Sequence, residues 1–286
     1  MGNVFNCVNG ISISNLGQGT WFIGEKPEKE EAEMKTLEKG LELGLTLIDT
    51  AEIYGKGNSE KLVGKVVKNH HREGLYLCSK VHPLNSGKKK IFKSCEDSLR
   101  RLQTDYLDMY LLHWREKNMP ELPEIVECME ELVRKEKIRN WGVSNFNLHD
   151  MEELWAVNCG NHCTVNQILY HMGSRGIEYN LYPWLEQHRI KIMAYCPLAQ
   201  AGTIRAGMLD NKVLSAIADK YTISIIQLLL AFVLRRENII AIPKASTVSH
   251  VQENVQVKTL KIKDEDWELI NKEFPAPIKM EPLDIV

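Results

Sequence analysis

The chain has 286 residues, of which 44% are hydrophobic and 26% charged, with a formal net charge of −2. That balance offers no overall field for nucleic acid or an anionic membrane, and the length suits one large domain or two small ones. The opening MGNVFNCVNGISIS holds no apolar leader core, Asn6 stands where a myristoylation signal wants a hydroxyl, and no later run approaches a membrane span, so a cytoplasmic, soluble protein is expected.

In chain order, FNCVNGISIS carries Asn9 and Gly10 between partly alternating residues, the pattern of a tight β-hairpin. Thereafter short apolar runs alternate with charged segments of helical spacing. The runs at 16–20, 45–50, 75–81, 106–114, 138–144, 165–170, 190–198 and 239–243 predict strands. The segments 27–43, 59–69, 88–102, 121–135, 148–157, 177–188, 225–235 and 248–257 predict helices, the third opened by the solvated lysines 88–90. Eight such units without a linker imply parallel pairing. They predict an α/β fold, a single (β/α)8 TIM barrel spanning 1–286. Two extra helices are expected, at 211–221 before the helix of the seventh strand and at 264–274 after the barrel. The Pro-rich tail PAPIKMEPLDIV reads as irregular.

The seven cysteines are odd in number and scattered, which argues against a disulfide framework. The closest pair, Cys159 and Cys163, has His162 between them but no second cluster elsewhere, so no metal is expected.

Chemistry enters at the strand ends. In LIDTAEIYGKG an apolar run stops on Asp49, with Tyr54 in the loop behind it; LYLCSKV places Lys80 near its end, and YLDMYLLHW places His113 at its end. Singly, each has a structural explanation: a turn former, a ring capping a core, a snorkelling lysine, a satisfied core histidine. Jointly those explanations weaken, because a lysine and an aspartate ending apolar strands are costly unless paired. The C-terminal strand ends of a barrel converge on one mouth, so the four would face one another. Lys80 would then lower the ordinary phenol value of Tyr54, Asp49 would orient Lys80, and His113 would orient a carbonyl oxygen.

LGQGTW, DTAEIYG, LCSKV, LLHW, WGVSNF, VNQILYH, AYCPLA and IPKAS stand in an order and spacing that resemble the aldo-keto reductases, from Leu16 to about Phe274. The resemblance implies a barrel that binds NADP(H) without a Rossmann domain and transfers hydride between nicotinamide and a carbonyl carbon. It implies a catalytic tetrad of Asp49, Tyr54, Lys80 and His113, with Tyr54 as general acid in reduction. It also implies that Ser144, Asn145 and Gln167 hold the carboxamide and that Tyr195 stacks on the nicotinamide ring. Thr20, Trp21 and Ile242 belong to the same implied cofactor site, as do Pro197, Leu198, Ala199 and Gly202 in the loop under the pyrophosphate. Lys244, Ser246, His250, Glu253 and Asn254 would hold the adenosine end. One departure stands out. His250 occupies a place where members often carry an arginine for the 2′-phosphate, so NADPH is expected with NADH possible, Lys244 remaining as a point charge.

The substrate would be a small aldehyde or ketone walled by Trp21 and Trp114, with Phe22 near, and a compact loop and tail leave the pocket open. Arg115 or Lys117 would meet an anionic group on it. Resemblance leans towards a monomer. Two other readings are an NADPH-binding regulatory or structural subunit without turnover, and a cofactor-free barrel aldolase or isomerase with Lys80 as Schiff-base amine.

Overall fold

The computed structural model describes residues 4–6, 12–200 and 204–286. At the N-terminus β1 (Val4–Asn6) pairs antiparallel with β2 (Ser12–Ser14); Asn9 and Gly10 lie outside the described residues. Eight parallel strands follow. They are β3 (Gln18–Gly19), β4 (Leu47–Asp49), β5 (Tyr76–Val81), β6 (Leu107–Leu112), β7 (Ile138–Ser144), β8 (Val165–Leu169), β9 (Lys191–Tyr195) and β10 (Ile239–Ala241), each paired with the next in chain order. The first strand also meets the last. Leu16 bridges Ala241 in parallel, Gly17 N donates to Ala241 O at 2.8 Å and Gly19 N to Pro243 O at 3.1 Å. A Cβ on Gly19 would stand 2.6 Å from Ile242 O, so only glycine lets this seam close.

Helices α1 (Glu30–Glu42), α2 (Asn58–Val67), α3 (Ile91–Leu102), α4 (Leu122–Arg134), α5 (Leu148–Trp155) and α6 (Leu181–Gln187) follow the strands in turn. After β9 come α7 (Ile204–Leu209), α8 (Lys212–Tyr221) and α9 (Ile225–Leu234), and after β10 come α10 (Val248–Gln256) and α11 (Asp264–Glu273). Capping boxes at Asn147 and Ser224 start α5 and α9 by satisfying their first free amides. Among the described residues, no single helix is long and apolar enough to cross a membrane.

Two expectations are corrected. Lysines 88–90 form a turn before α3 rather than its first turn. The segment 177–188 is broken into a 3-10 turn at Gly176–Glu178 and the short α6. Helix α7 falls where the sequence pattern assigns no element; its residues pack against the turn at 171–174, where a Cβ on Gly173 would lie 2.6 Å from the Met208 methyl.

Side chains alternate across each strand, and this parity positions the site. One buried cluster fills the space inside the sheet: Leu47, Tyr76, Cys78, Met109, Leu111, Val165, Met193 and Ile240 among others. A larger one lies between the sheet and the helices. Two residues beyond Leu47, Cys78, Leu111, Val165 and Met193, on the same inward parity, stand Asp49, Lys80, His113, Gln167 and Tyr195. Apolar layers thus close the interior from below, and polar side chains form its last layer.

Candidate active site

The pairing of Lys80 with Asp49 governs the site. Lys80 is 0% exposed, and its Nζ lies 2.8 Å from Asp49 Oδ2 and donates to Thr50 O at 2.7 Å. Nζ is also 3.3 Å from the Tyr54 hydroxyl and 4.8 Å from the centre of that ring. Burial works against the ammonium, but Asp49 and neighbouring groups outweigh it and raise Lys80 above the ordinary lysine value. The other carboxylate oxygen, Asp49 Oδ1, accepts from Gln167 Nε2 at 2.8 Å. A buried charge is thereby matched and hydrogen-bonded on every side, as its position requires.

Tyr54 does not behave as the sequence suggests. Burial is the largest influence on its phenol and pushes it up to about 12, and the Lys80 ammonium only partly offsets that. The hydroxyl therefore holds its proton at neutral pH and keeps it available. His113 stands edge-on to Tyr54, with ring centres 5.8 Å apart, and packs on Trp114 at 4.8 Å. Burial, then the charge of Lys80, drives its imidazole well below the usual histidine range, so the ring is neutral. Nδ1 of His113 is buried without a hydrogen-bond partner among the described residues. Such an orphan is uncommon in a packed interior.

These groups open into a cavity of about 810 Å³. Asp49, Tyr54 and His113 line it together with Thr20, Trp21, Phe22 and Trp114. Ser144, Asn145, Gln167 and Tyr195 continue the wall. Tyr195 donates its hydroxyl to Asn145 Oδ1 at 2.8 Å, while Ser144 Oγ donates to Gln167 O at 2.8 Å. Leu198, Ile242, Lys244, Ser246, His250, Glu253 and Asn254 line the remainder. Lys80 lies behind Asp49 and Tyr54 rather than on the wall; Pro197 and Ala199 are buried without lining it, and Gly202 lies outside the described residues. Phe22, Asn145, Cys196 and Ala199, in loops at this mouth, take left-handed φ angles of 63°, 58°, 49° and 54°, which non-glycine residues rarely adopt.

Several wall residues escaped the sequence. Arg205 arrives on α7, Ile226 on α9, and Cys196 and Ile53 from loops. Val286 also lines the cavity, because the irregular tail folds back and Ser174 Oγ meets Asp284 Oδ2 at 2.5 Å. Arg115 and Lys117 do not line it. Arg115 is committed to Asp150, at 2.7 Å, and to Glu153.

The donor set suits a nicotinamide dinucleotide. A partnerless imidazole and a protonated phenol stand at one end, and at the other Lys244 and Arg205 form no ion pair with described residues. Among the described residues Lys244 Nζ reaches only Ser246 Oγ, at 2.9 Å, beside the N-terminus of α10 capped by Thr247.

A parallel barrel whose last inward layer is a proton-holding cluster, opening on a cavity edged by unpaired cations, defines a barrel enzyme acting on a bound small molecule. The model of the Aldo/keto reductase family matches residues 15–273, and the chain belongs to that family of oxidoreductases. It is 49% identical over 276 residues to the methylglyoxal reductase YeaE of Escherichia coli (strain K12), covering 96% of each chain. It is 32% identical over 265 residues to the glyoxal reductase of Bacillus subtilis (strain 168), covering 92% of this chain and 90% of that one. In structure it is similar to an aldo/keto reductase from Klebsiella pneumoniae solved with NADP and acetate, with a TM-score of 0.96, 43% identity and full coverage of both chains.

Proposed function

We propose that the chain, as one domain over 1–286, reduces small aldehydes and ketones with NADPH, 2-oxoaldehydes such as methylglyoxal among them. The observation that carries this is the buried Asp49–Lys80–Tyr54 cluster beside the partnerless imidazole of His113. The names of the relatives at 49% and 32% identity support the substrate class, and the NADP bound to the Klebsiella protein supports the cofactor.

When bound, the nicotinamide supplies the hydride. The rest is done by this chain. Tyr54 gives its proton to the carbonyl oxygen as negative charge develops there. Lys80, 3.3 Å from the phenol oxygen, stabilises the phenolate that forms, and Asp49 holds Lys80 in place. The neutral His113 donates an N–H towards the same oxygen and so fixes which carbonyl face is presented. Ser144, Asn145 and Gln167 orient the carboxamide, with the Tyr195 ring as the surface beneath it. At the far end Lys244 and Arg205 meet phosphate, which leaves His250 a minor role in choosing NADPH over NADH.

The test is absorbance of NADPH in the presence of methylglyoxal or an activated aromatic aldehyde, with Tyr54→Phe beside the wild type. Loss of the phenol is expected to lower turnover by about 10²–10⁴. NADPH binding, read by quenching of protein fluorescence, should persist. Binding without aldehyde-dependent oxidation in the wild type would overturn the proposal in favour of a binding subunit.

A further inference from the structure

Cys159 and His162, which the sequence leaves without further ligands, acquire a third in the fold. The short turn Gly160–His162 leads into β8 at the N-terminal end of the strands, opposite the mouth that holds the cavity. There the sulfur of Cys159, a ring nitrogen of His162 and a carboxylate oxygen of Glu130, from α4, all lie within 4.8 Å of one another. His162 Nδ1 is 3.1 Å from Glu130 Oε2.

We propose that these three residues form a binding site for a zinc-class divalent ion, with water in the fourth position. A thiolate, an imidazole and a carboxylate are the donors that Zn²⁺ takes, whereas Mg²⁺ and Ca²⁺ prefer oxygen alone. Tetrahedral bonds of about 2.0–2.3 Å set ligand atoms roughly 3.3–3.8 Å apart. The Glu130–His162 pair, at 3.1 Å, already stands close to that spacing, and the Cys159 sulfur, within 4.8 Å of both, has to close about an ångström on binding.

Two features indicate preassembly. The first is the turn itself. Cys159 takes a left-handed φ of 63°, and His162 N donates to Cys159 O at 3.0 Å, which turns a Cys-x-x-His pair onto one side as a chelate. Gly160 lets the turn sit directly on α5, since a Cβ there would fall 1.8 Å from Leu154 O. The second is the outer support of the carboxylate. Glu130 Oε1 accepts from Trp141 Nε1 at 2.6 Å, which fixes the group and aims Oε2 at His162. Cys163 is excluded from the set, being buried with its thiol directed at Val165 O.

The ion would staple α4 to the turn before β8, remote from the reacting groups. Binding exchanges the thiol proton of Cys159 for the metal and releases that proton to solvent, so affinity rises with pH. The experiment uses the full chain stripped with a chelator, Zn²⁺ competed against a chromophoric chelator, and Co²⁺ as a spectroscopic probe. One ion per chain and a sulfur-to-cobalt charge-transfer band are expected. Cys159→Ser should abolish the band, and His162→Gln should weaken Zn²⁺ binding at least about tenfold. Melting curves of the metal-free variants should match the metal-free wild type. No stoichiometric binding in the wild type, or a band unchanged by Cys159→Ser, would overturn the site.

Discussion

Replacing Lys80 by Met removes a charge that the barrel has enclosed completely. At 2.8 Å the attraction between Nζ and Asp49 Oδ2 amounts to about 6 kcal/mol for an effective dielectric of about 20. Burying two charges costs several kcal/mol per ion, so the intact pair contributes little net stability. Breaking it is another matter. In Lys80→Met the Asp49 carboxylate stays buried with its charge uncompensated and Gln167 Nε2 as its remaining strong donor, a loss of about 3–5 kcal/mol. Asp49→Asn strands the ammonium in the same way, removing its counter-charge and leaving it only neutral acceptors such as the carbonyl of Thr50 and the Tyr54 hydroxyl. The double variant buries no charge and should lose clearly less than the sum of the single losses, a coupling of about 2 kcal/mol or more. Urea unfolding of the four proteins measures this, and aldehyde reduction should be lost in all three variants. A single Lys80→Met loss below about 1 kcal/mol, or simple additivity, would refute the reasoning.

Arg205→Ala should weaken NADPH about 10–100-fold, the worth of a hydrogen bond to a charged group, with a shallower salt dependence and a smaller effect on NADH; binding is read by fluorescence titration of both nucleotides. His171 predicts an acid limit on stability. Burial lowers it to about 4, against the partial pull of Asp284, so its contribution is complete above about pH 6.5 and is lost as pH falls towards 4, a span of about 3 kcal/mol. His113, also depressed by burial, acts in the same direction. Urea midpoints from about pH 7 to about pH 4.5 should therefore fall less steeply in His171→Gln than in the wild type.

Much of the candidate site was legible because it rests on local pattern. A parallel strand buried on both faces reads as an apolar run, and a polar residue ending it is conspicuous: Asp49, Lys80 and His113 stand out for that reason. Parity then does the rest, since each lies two residues past an inward-facing apolar side chain. Arg205 left no such mark. Its helix, Ile204–Leu209, is six residues long with Gly207 inside it, too short for a period to show and too weak to form without its packing on the turn at 171–174. The tail is irregular, as its prolines imply, but its return to the cavity depends on single long-range contacts such as Ser174–Asp284. The phenol of Tyr54 departs from the sequence expectation for a related reason: a nearby lysine is visible in the sequence and does pull the value down, while the depth of burial that outweighs it is a property of the whole mouth.

Gln167 links the buried Lys80–Asp49 pair to the wall of the cavity. Its amide nitrogen donates to Asp49 Oδ1 across a sequence separation of 118, and its backbone carbonyl accepts from Ser144 Oγ and from Asn145 N at 2.9 Å. Asn145 in turn accepts from the Tyr195 hydroxyl and donates to the carbonyl of His113. A hydrogen-bonded chain therefore runs from Lys80 through Asp49, Gln167 and Asn145 to the backbone of His113, joining five strands at one level. In a low-dielectric layer such a chain is stable only when every member is satisfied. The Lys80–Asp49 pair behind Tyr54 and the Asn145–Tyr195 wall of the cavity consequently cannot shift independently, and under the proposed function that coupling would hold proton donor and cofactor surface in register.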